Sequence, residues 1–208
     1  MNDERLLTSI AKYYSDKVHI HGPTPHGVDW NSRESQQLRF VQLMKVVETR
    51  QHFSINDYGC GYGALVDYLS ERSYSFRYYG YDISRQMIAK AKEIHSGMPQ
   101  SHFVIGQSSL TVADYTVASG VFNVKLEVPS DEWAGHVEKT LEAINGVSRK
   151  GFAFNILTSH ADRHLMRRDL YYADPASLFE YCIRRFSRFV SLIHDYPLYE
   201  FTILVRKE

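Results

Sequence analysis

The chain has 208 residues, enough for one domain with a full core. Apolar residues make up 44% and charged residues 23%, and 24 Lys plus Arg balance 24 Asp plus Glu, which leaves no basic footprint for nucleic acid or an anionic membrane. Cys60 and Cys182, the two cysteines, give no disulfide framework or zinc spacing and point to a reducing compartment.

The opening MNDERLLTSI is polar and acidic, and no apolar run approaches the ~20 residues of a membrane span, so a cytoplasmic protein is expected. A first helix carries Leu6, Leu7, Ile10, Tyr13 and Tyr14. HIHGPTPHGVDWN, with two prolines and two glycines, then reads as a long ordered loop. Asn31 with Glu34 resembles a capping box that starts a helix through LRFVQLMKVVE, with Phe40, Leu43, Met44 and Val47 on one face.

Strand and helix signals alternate from there. FSINDYG, FRYYGYD, SHFVIG, ADYTVASGVF and FAFNILTS read as strands. ALVDYLSER and SRQMIAKAKEIH read as helices, the second with Met87, Ile88, Ala91 and Ile94 inward. Ser130 looks like the cap of a helix bearing Trp133, Val137, Leu141 and Ile144, stopped by Gly151. A helical insertion spans His160 to Arg188, with Pro175 at a first helical position after Asp174. FVSLIHDY and YEFTILVRK, joined at Pro197, can pair as an antiparallel hairpin. The pattern predicts an α/β fold: a doubly wound, seven-stranded, mostly parallel sheet with a C-terminal hairpin. Within a single domain, residues 1–50 form an N-terminal cap, 51–159 a cofactor-binding core, 160–188 a helical acceptor lid and 189–208 the hairpin.

Three glycines, Gly59, Gly61 and Gly63, stand between the first core strand and its helix. In a doubly wound sheet this turn is where a ligand approaches the backbone, and an acid ending the next strand accepts bonds from a ribose. Asp82 ends that strand 19 residues after Gly63. Gly59, Gly61 and Ala64 also satisfy G-x-G-x-x-A, so a nicotinamide or flavin cofactor is the rival. Against it stand Asp57, which would repel a pyrophosphate but welcome an amino group, the G-x-G-x-G spacing, and the hairpin.

INDYGCGYGALVDYL followed by YYGYDIS resembles motifs I and II of the class I S-adenosylmethionine-dependent methyltransferases. The likeness covers roughly Phe53 to Glu208; TPHGVDWNSRESQQLRF also resembles a stretch in uncharacterised bacterial members. It implies that Asp57 and the turn Gly59, Cys60, Gly61, Tyr62, Gly63 hold the methionine end, Asp82 the ribose hydroxyls, and Ile83 the adenine. Gln107 and Ser108 stand where an acid often meets the adenine amino group, and Ser119, Gly120 and Val121 stand beside the reactive methyl. Tyr14, Trp30 and Arg39 are nominated to close over the cofactor, with Arg39 pairing its carboxylate; alternatively Trp30 anchors the loop and Arg39 is solvated. Cys60 reads as a small hydrophobe rather than a nucleophile.

The expected reaction is methyl transfer to an oxygen, with nitrogen second, of a soluble small molecule. Residues after the fourth and fifth strands should line the acceptor site: Phe122, Asn123, Asn155, Thr158 and His160. His160 is the candidate base, or else a surface histidine. ASGVFNV stands where an Asn-Pro-Pro-Tyr-type motif would mark methylation of DNA bases or protein glutamine. Arg167, Arg168, Tyr171, Tyr172 and Asp174 could select an anionic or polyhydroxylated substrate, or form a solvated face. The pairs His160/His164 and His19/His21, with His26 nearby, lack a converging partner, so no metal is expected. Two rivals stay open: a nicotinamide-dependent oxidoreductase, and a cofactor-binding partner subunit without transfer activity.

Overall fold

The computed structural model describes residues 3–48, 51–107 and 109–208, with side chains from residue 6 onward. Seven strands form one sheet: β1 (Phe53–Tyr58), β2 (Phe76–Asp82), β3 (Ser101–Ile105), β4 (Ala113–Ser119), β5 (Ser148–Leu157), β6 (Phe189–Ile193) and β7 (Glu200–Arg206). Their order is β3-β2-β1-β4-β5-β7-β6. The first five are parallel, while β7 runs antiparallel to β5 and β6 antiparallel to β7. The chain reverses its direction of travel across the sheet between β1 and β4, and a ligand crevice forms at such a switch point.

Side-chain alternation along the strands builds a core on each face. On β5, Phe152, Phe154 and Ile156 pack with Trp133, Leu141 and Ile144 of α5 (Ser130–Val147), whereas Ala153 joins the opposite core with Ile55, Leu65 and Leu69. That second group brings in α3 (Ala64–Glu71) and α4 (Arg85–Ile94). Trp133 has no exposed surface, and its indole N–H donates to the Phe122 carbonyl at 2.8 Å, which satisfies the one polar atom of a deeply buried ring. Among the described residues, no helix is long and apolar enough to cross a membrane.

Several local expectations differ from what forms. The first helix, α1 (Asp3–His21), runs into the stretch expected to be loop, which then holds a short 3-10 turn over Pro25–Val28. Ser32, not Asn31, caps α2 (Arg33–Leu43), its side chain accepting from the Ser35 N–H while Ser35 Oγ accepts from the Ser32 N–H. The α-helix stops at Leu43 and tightens into a 3-10 turn at Met44–Val46, so Val47 falls outside it. Pro129 is the N-cap of α5 and Ser130 its first residue. Gly151 lies inside β5, where a Cβ would sit 2.5 Å from the Val205 carbonyl oxygen. Ile94, expected inward, is 45% exposed at the helix end.

The segment 160–188 is helical only at Arg163–Leu165 and in α6 (Pro175–Arg185). Between them the chain is pinned to the sheet by isolated bridges, Val124 to Leu170 and Thr158 to Ala173. Asp174 caps α6 by accepting from the Ser177 N–H at 2.7 Å, and Pro175 follows at its start. The helix packs on β6 and β7 with Cys182 fully buried. It therefore covers the sheet, whereas Ala161, Leu165, Arg167, Leu170 and Tyr172 from the stretch before it line a cavity, so of the expected lid the part beside a cavity is mostly not helical.

Candidate functional site

A cavity opens at the carboxyl ends of β1, β2 and β4. Asp57 and Tyr58 reach it from β1, Asp82 from the end of β2, and Ser119 to Phe122 from the end of β4. Leu7, Ile10 and Tyr14 of α1, with Val28 and Trp30, roof it over. The roof is tied down at both ends. Ser15 Oγ lies 2.9 Å from Ser84 Oγ and donates to Gln86 Oε1 at 2.9 Å. Asp29 accepts from the Tyr13 hydroxyl at 2.7 Å and from Lys17 Nζ at 2.6 Å.

The glycine turn is fixed by its backbone. The N–H groups of Gly59 and Cys60 both donate to the Tyr81 carbonyl, at 2.8 and 3.0 Å. Gly61 N–H donates to Asp82 Oδ2 at 2.9 Å, and Ser84 N–H to Oδ1 at 2.8 Å. Added Cβ atoms at Gly59 and Gly61 would sit 2.1 and 2.8 Å from Cγ1 of Val121 and Val28. One at Gly63 would meet the His95 ring at 2.8 Å. Their missing side chains thus admit the protein's own groups, which amends the expectation that they clear room only for a ligand. The backbones of Gly59 and Gly61 still line the cavity, while Gly63 faces away.

The electrostatics are unusual for an apolar-walled space. Asp57 is 3% exposed and accepts the Tyr78 hydroxyl at 2.7 Å. Burial pushes its pKa up to about 7, and that of Asp82 up to about 6. The described lining contains no Lys or Arg; His136 is its single basic side chain. Two buried carboxylates without a Lys or Arg beside them in the lining favour a positively charged ligand group. Burial also pushes the Cys60 thiol and the Tyr14 hydroxyl well above their ordinary values, so Cys60 stays a thiol and Tyr14 a phenol.

Beside it lies a second cavity that shares Tyr14, Val28, Trp30 and Gly120 with the first. Asp29, Arg39, Asn123, Arg167, Tyr172 and Glu200 add its polar lining. Here Arg39 departs from expectation. It lines only this second cavity, and its guanidinium is taken by Glu200 in a buried ion pair while stacking on Trp30, so it is not available to a cofactor carboxylate.

The remaining predicted residues divide. Gln107 lines the first cavity and accepts the Tyr58 hydroxyl at 2.7 Å; Ile83 and Tyr62 also line it. Ser108 lies outside the described residues. Asn155 supports the site from below, its Oδ1 accepting the Gly120 N–H at 2.8 Å. Asn123 lines the second cavity with its Oδ1 already accepting from Leu157 N–H at 3.2 Å. His160 is exposed and lines neither cavity; its N–H is held by Thr158 Oγ1 and its ring lies near His194. Arg168 is exposed, and Tyr171 packs into the core beside α5, so neither lines a cavity. Sequence reasoning missed His136 and Thr140, which lie next to the apolar stripe of α5, and Gln36 on α2. It also missed Glu200, a buried charged residue at the start of β7.

The sequence profile of a family described as a methyltransferase domain matches residues 55–150. A Mycobacterium tuberculosis protein named "Putative methyltransferase Rv1506c" is 51% identical over 164 residues, covering 79% of this chain and 99% of that one. The solved Synechocystis magnesium protoporphyrin IX methyltransferase with bound S-adenosylmethionine has a TM-score of 0.68 at 14% identity, over 97% of each chain. The Burkholderia thailandensis 1,6-didemethyltoxoflavin-N1-methyltransferase, bound to 1,6-didemethyltoxoflavin and S-adenosylhomocysteine, scores 0.69 at 13% identity, over 100% of this chain and 91% of that one. At such identities these two structures speak for the fold.

Proposed function

This chain belongs to the S-adenosylmethionine-dependent methyltransferases, and from that premise we propose that it methylates an oxygen of a small molecule held in the second cavity. The observation that carries the reading is the pair of buried carboxylates, Asp57 and Asp82, in a cavity whose described lining holds no Lys or Arg and that adjoins another across Trp30 and Gly120. The donor set fits the cofactor, whose sulfonium and ammonium outweigh its one carboxylate. Asp57 would receive the ammonium and Asp82 the ribose hydroxyls, with Ile83 and Met87 against the adenine.

Bound there, S-adenosylmethionine supplies a methyl already carried on a good leaving group. The protein's part is alignment and exclusion of water, worth roughly 7–11 kcal/mol in favourable geometries. The roof of α1 and Trp30 serves the second task, and the Asn155-held turn at Gly120 serves the first. Tyr14 remains protonated and can donate to an acceptor oxygen but cannot deprotonate it. Burial would raise Asp29, yet its hydrogen bonds from Lys17 and Tyr13 hold it below the ordinary carboxylate range, which makes it a weak base. These features favour an acceptor oxygen that loses its proton readily, a carboxylic acid or an acidic phenol, over an alcohol.

The test is incubation with S-adenosylmethionine and separate panels of carboxylic acids, phenols and amines, reading S-adenosylhomocysteine by mass spectrometry. Turnover with acids or phenols is expected, and turnover confined to amines would overturn the oxygen assignment. Tight cofactor binding without turnover on any panel would favour a partner subunit that has lost transfer.

A further inference from the structure

Of the four residues that line both cavities, Trp30 is the largest, and it is held from two sides. Its ring lies so close over Gly120 that a Cβ there would be 2.3 Å from Cη2 and 2.4 Å from Cζ2. The Arg39 guanidinium stacks on the ring, its Cζ 3.7 Å from the centroid. Arg39 is in turn fixed: Nε donates to both Glu200 oxygens at 3.0 and 2.9 Å, and Nη1 to the Ser35 carbonyl at 2.9 Å. Three distant parts of the chain therefore set the place of one indole: α2 through Arg39, the start of β7 through Glu200, and β5 through Asn155 and Gly120.

A buried ion pair is a poor way to gain stability, because an apolar pair of similar volume often does as well or better. What a planar, stacked guanidinium adds is a defined ring orientation. At this position the ring lies between the two cavities and lines both. Resting on the assignment of the first cavity to the cofactor, we infer that Trp30 narrows the mouth shared by the two cavities beside Gly120 and so retains the cofactor without closing the passage that methyl transfer requires, with Arg39 and Glu200 as the positioning residues that act through it.

The experiment is release of tritiated S-adenosylmethionine from the full chain into an excess of unlabelled S-adenosylhomocysteine. Trp30→Ala is expected to release at least about tenfold faster with its association rate within about twofold of the unchanged chain, since contact losses are read mainly in dissociation. Trp30→Phe, which keeps a smaller ring, and Arg39→Lys, which keeps the charge but not the stack, should fall between. An unchanged release rate in Trp30→Ala, or a lowered thermal midpoint with normal release, would overturn the inference. If circular dichroism shows that Trp30→Ala does not fold, Trp30→Phe and Arg39→Lys decide the matter by the same reading. Failure of the unchanged chain to bind the cofactor at all would instead remove the assignment of the first cavity.

Discussion

Tyr78 donates its hydroxyl hydrogen to Asp57 at 2.7 Å, from β2 to the strand beside it, with both residues buried. The bond stabilises the ionised carboxylate but does not offset burial, which still leaves Asp57 near pH 7 and Asp82 near pH 6. Each folded pKa lies above the ordinary value of 3.8, so the folded chain binds more protons than the unfolded one between those limits. These two groups therefore stabilise the ligand-free protein at low pH, and their contribution falls as pH rises from about 4 to about 7. Cofactor binding runs the other way, because the ammonium common to S-adenosylmethionine and S-adenosylhomocysteine needs Asp57 ionised. Affinity for S-adenosylhomocysteine should climb by up to about tenfold per pH unit below pH 7 and then level off. Calorimetry between pH 5 and 8 reads it; a flat profile would sink the role of Asp57.

Asp82→Asn keeps the shape but gives up the charge that holds the Gly61 and Ser84 amides and would take the ribose. Loss of hydrogen bonds to a charged group is worth about 1.5–3 kcal/mol, or roughly tenfold to over a hundredfold in dissociation constant. Titration with S-adenosylhomocysteine measures it, and an unchanged constant would remove Asp82 from the site.

The Arg39–Glu200 pair should behave asymmetrically in denaturant unfolding. Glu200→Gln alone leaves a buried guanidinium without its anion and should cost about 3–5 kcal/mol. The double change Arg39→Met with Glu200→Leu should cost far less than the sum of the two single changes. Additive losses would mean that the two side chains do not act as a pair.

Gly61→Ala separates the roof from the core. At φ +55 a side chain is strained by about 1–2 kcal/mol, and its Cβ would press on Val28 at 2.8 Å. Cofactor affinity should fall, and Val28→Ala in the same chain should recover part of the loss by relieving the contact. No recovery would place the defect in the turn itself.

The alternating strands and helices were legible because each buried strand shows itself as an apolar run and each crossover helix as a stripe. Asp82 was legible because an acid at a strand's end, after a glycine turn, has few other uses. Other features follow from tertiary packing. Asn31 and Ser32 are both good caps, and in the fold it is the Ser32 side chain that accepts from the Ser35 N–H. His160 follows β5 directly, but the bridge from Thr158 to Ala173 turns the chain there, leaving the imidazole outside both cavities. Arg39 looked free for a ligand because its partner is 161 positions away. Both members are single charges in local sequence, and only the fold brings them together.

β7 is wedged between β5 and β6 although it follows both in sequence. During synthesis, β6 emerges before the only strand that it pairs with among those described, and Arg39 waits for Glu200 throughout. A nascent chain can thus assemble β1 to β5, the glycine turn and Asp82 while Arg39 still lacks the carboxylate that holds it against Trp30. Arrival of β7, rather than early folding, is what completes the site, and a chain cut short before residue 200 would expose an edge of β5 to whatever strand it met first.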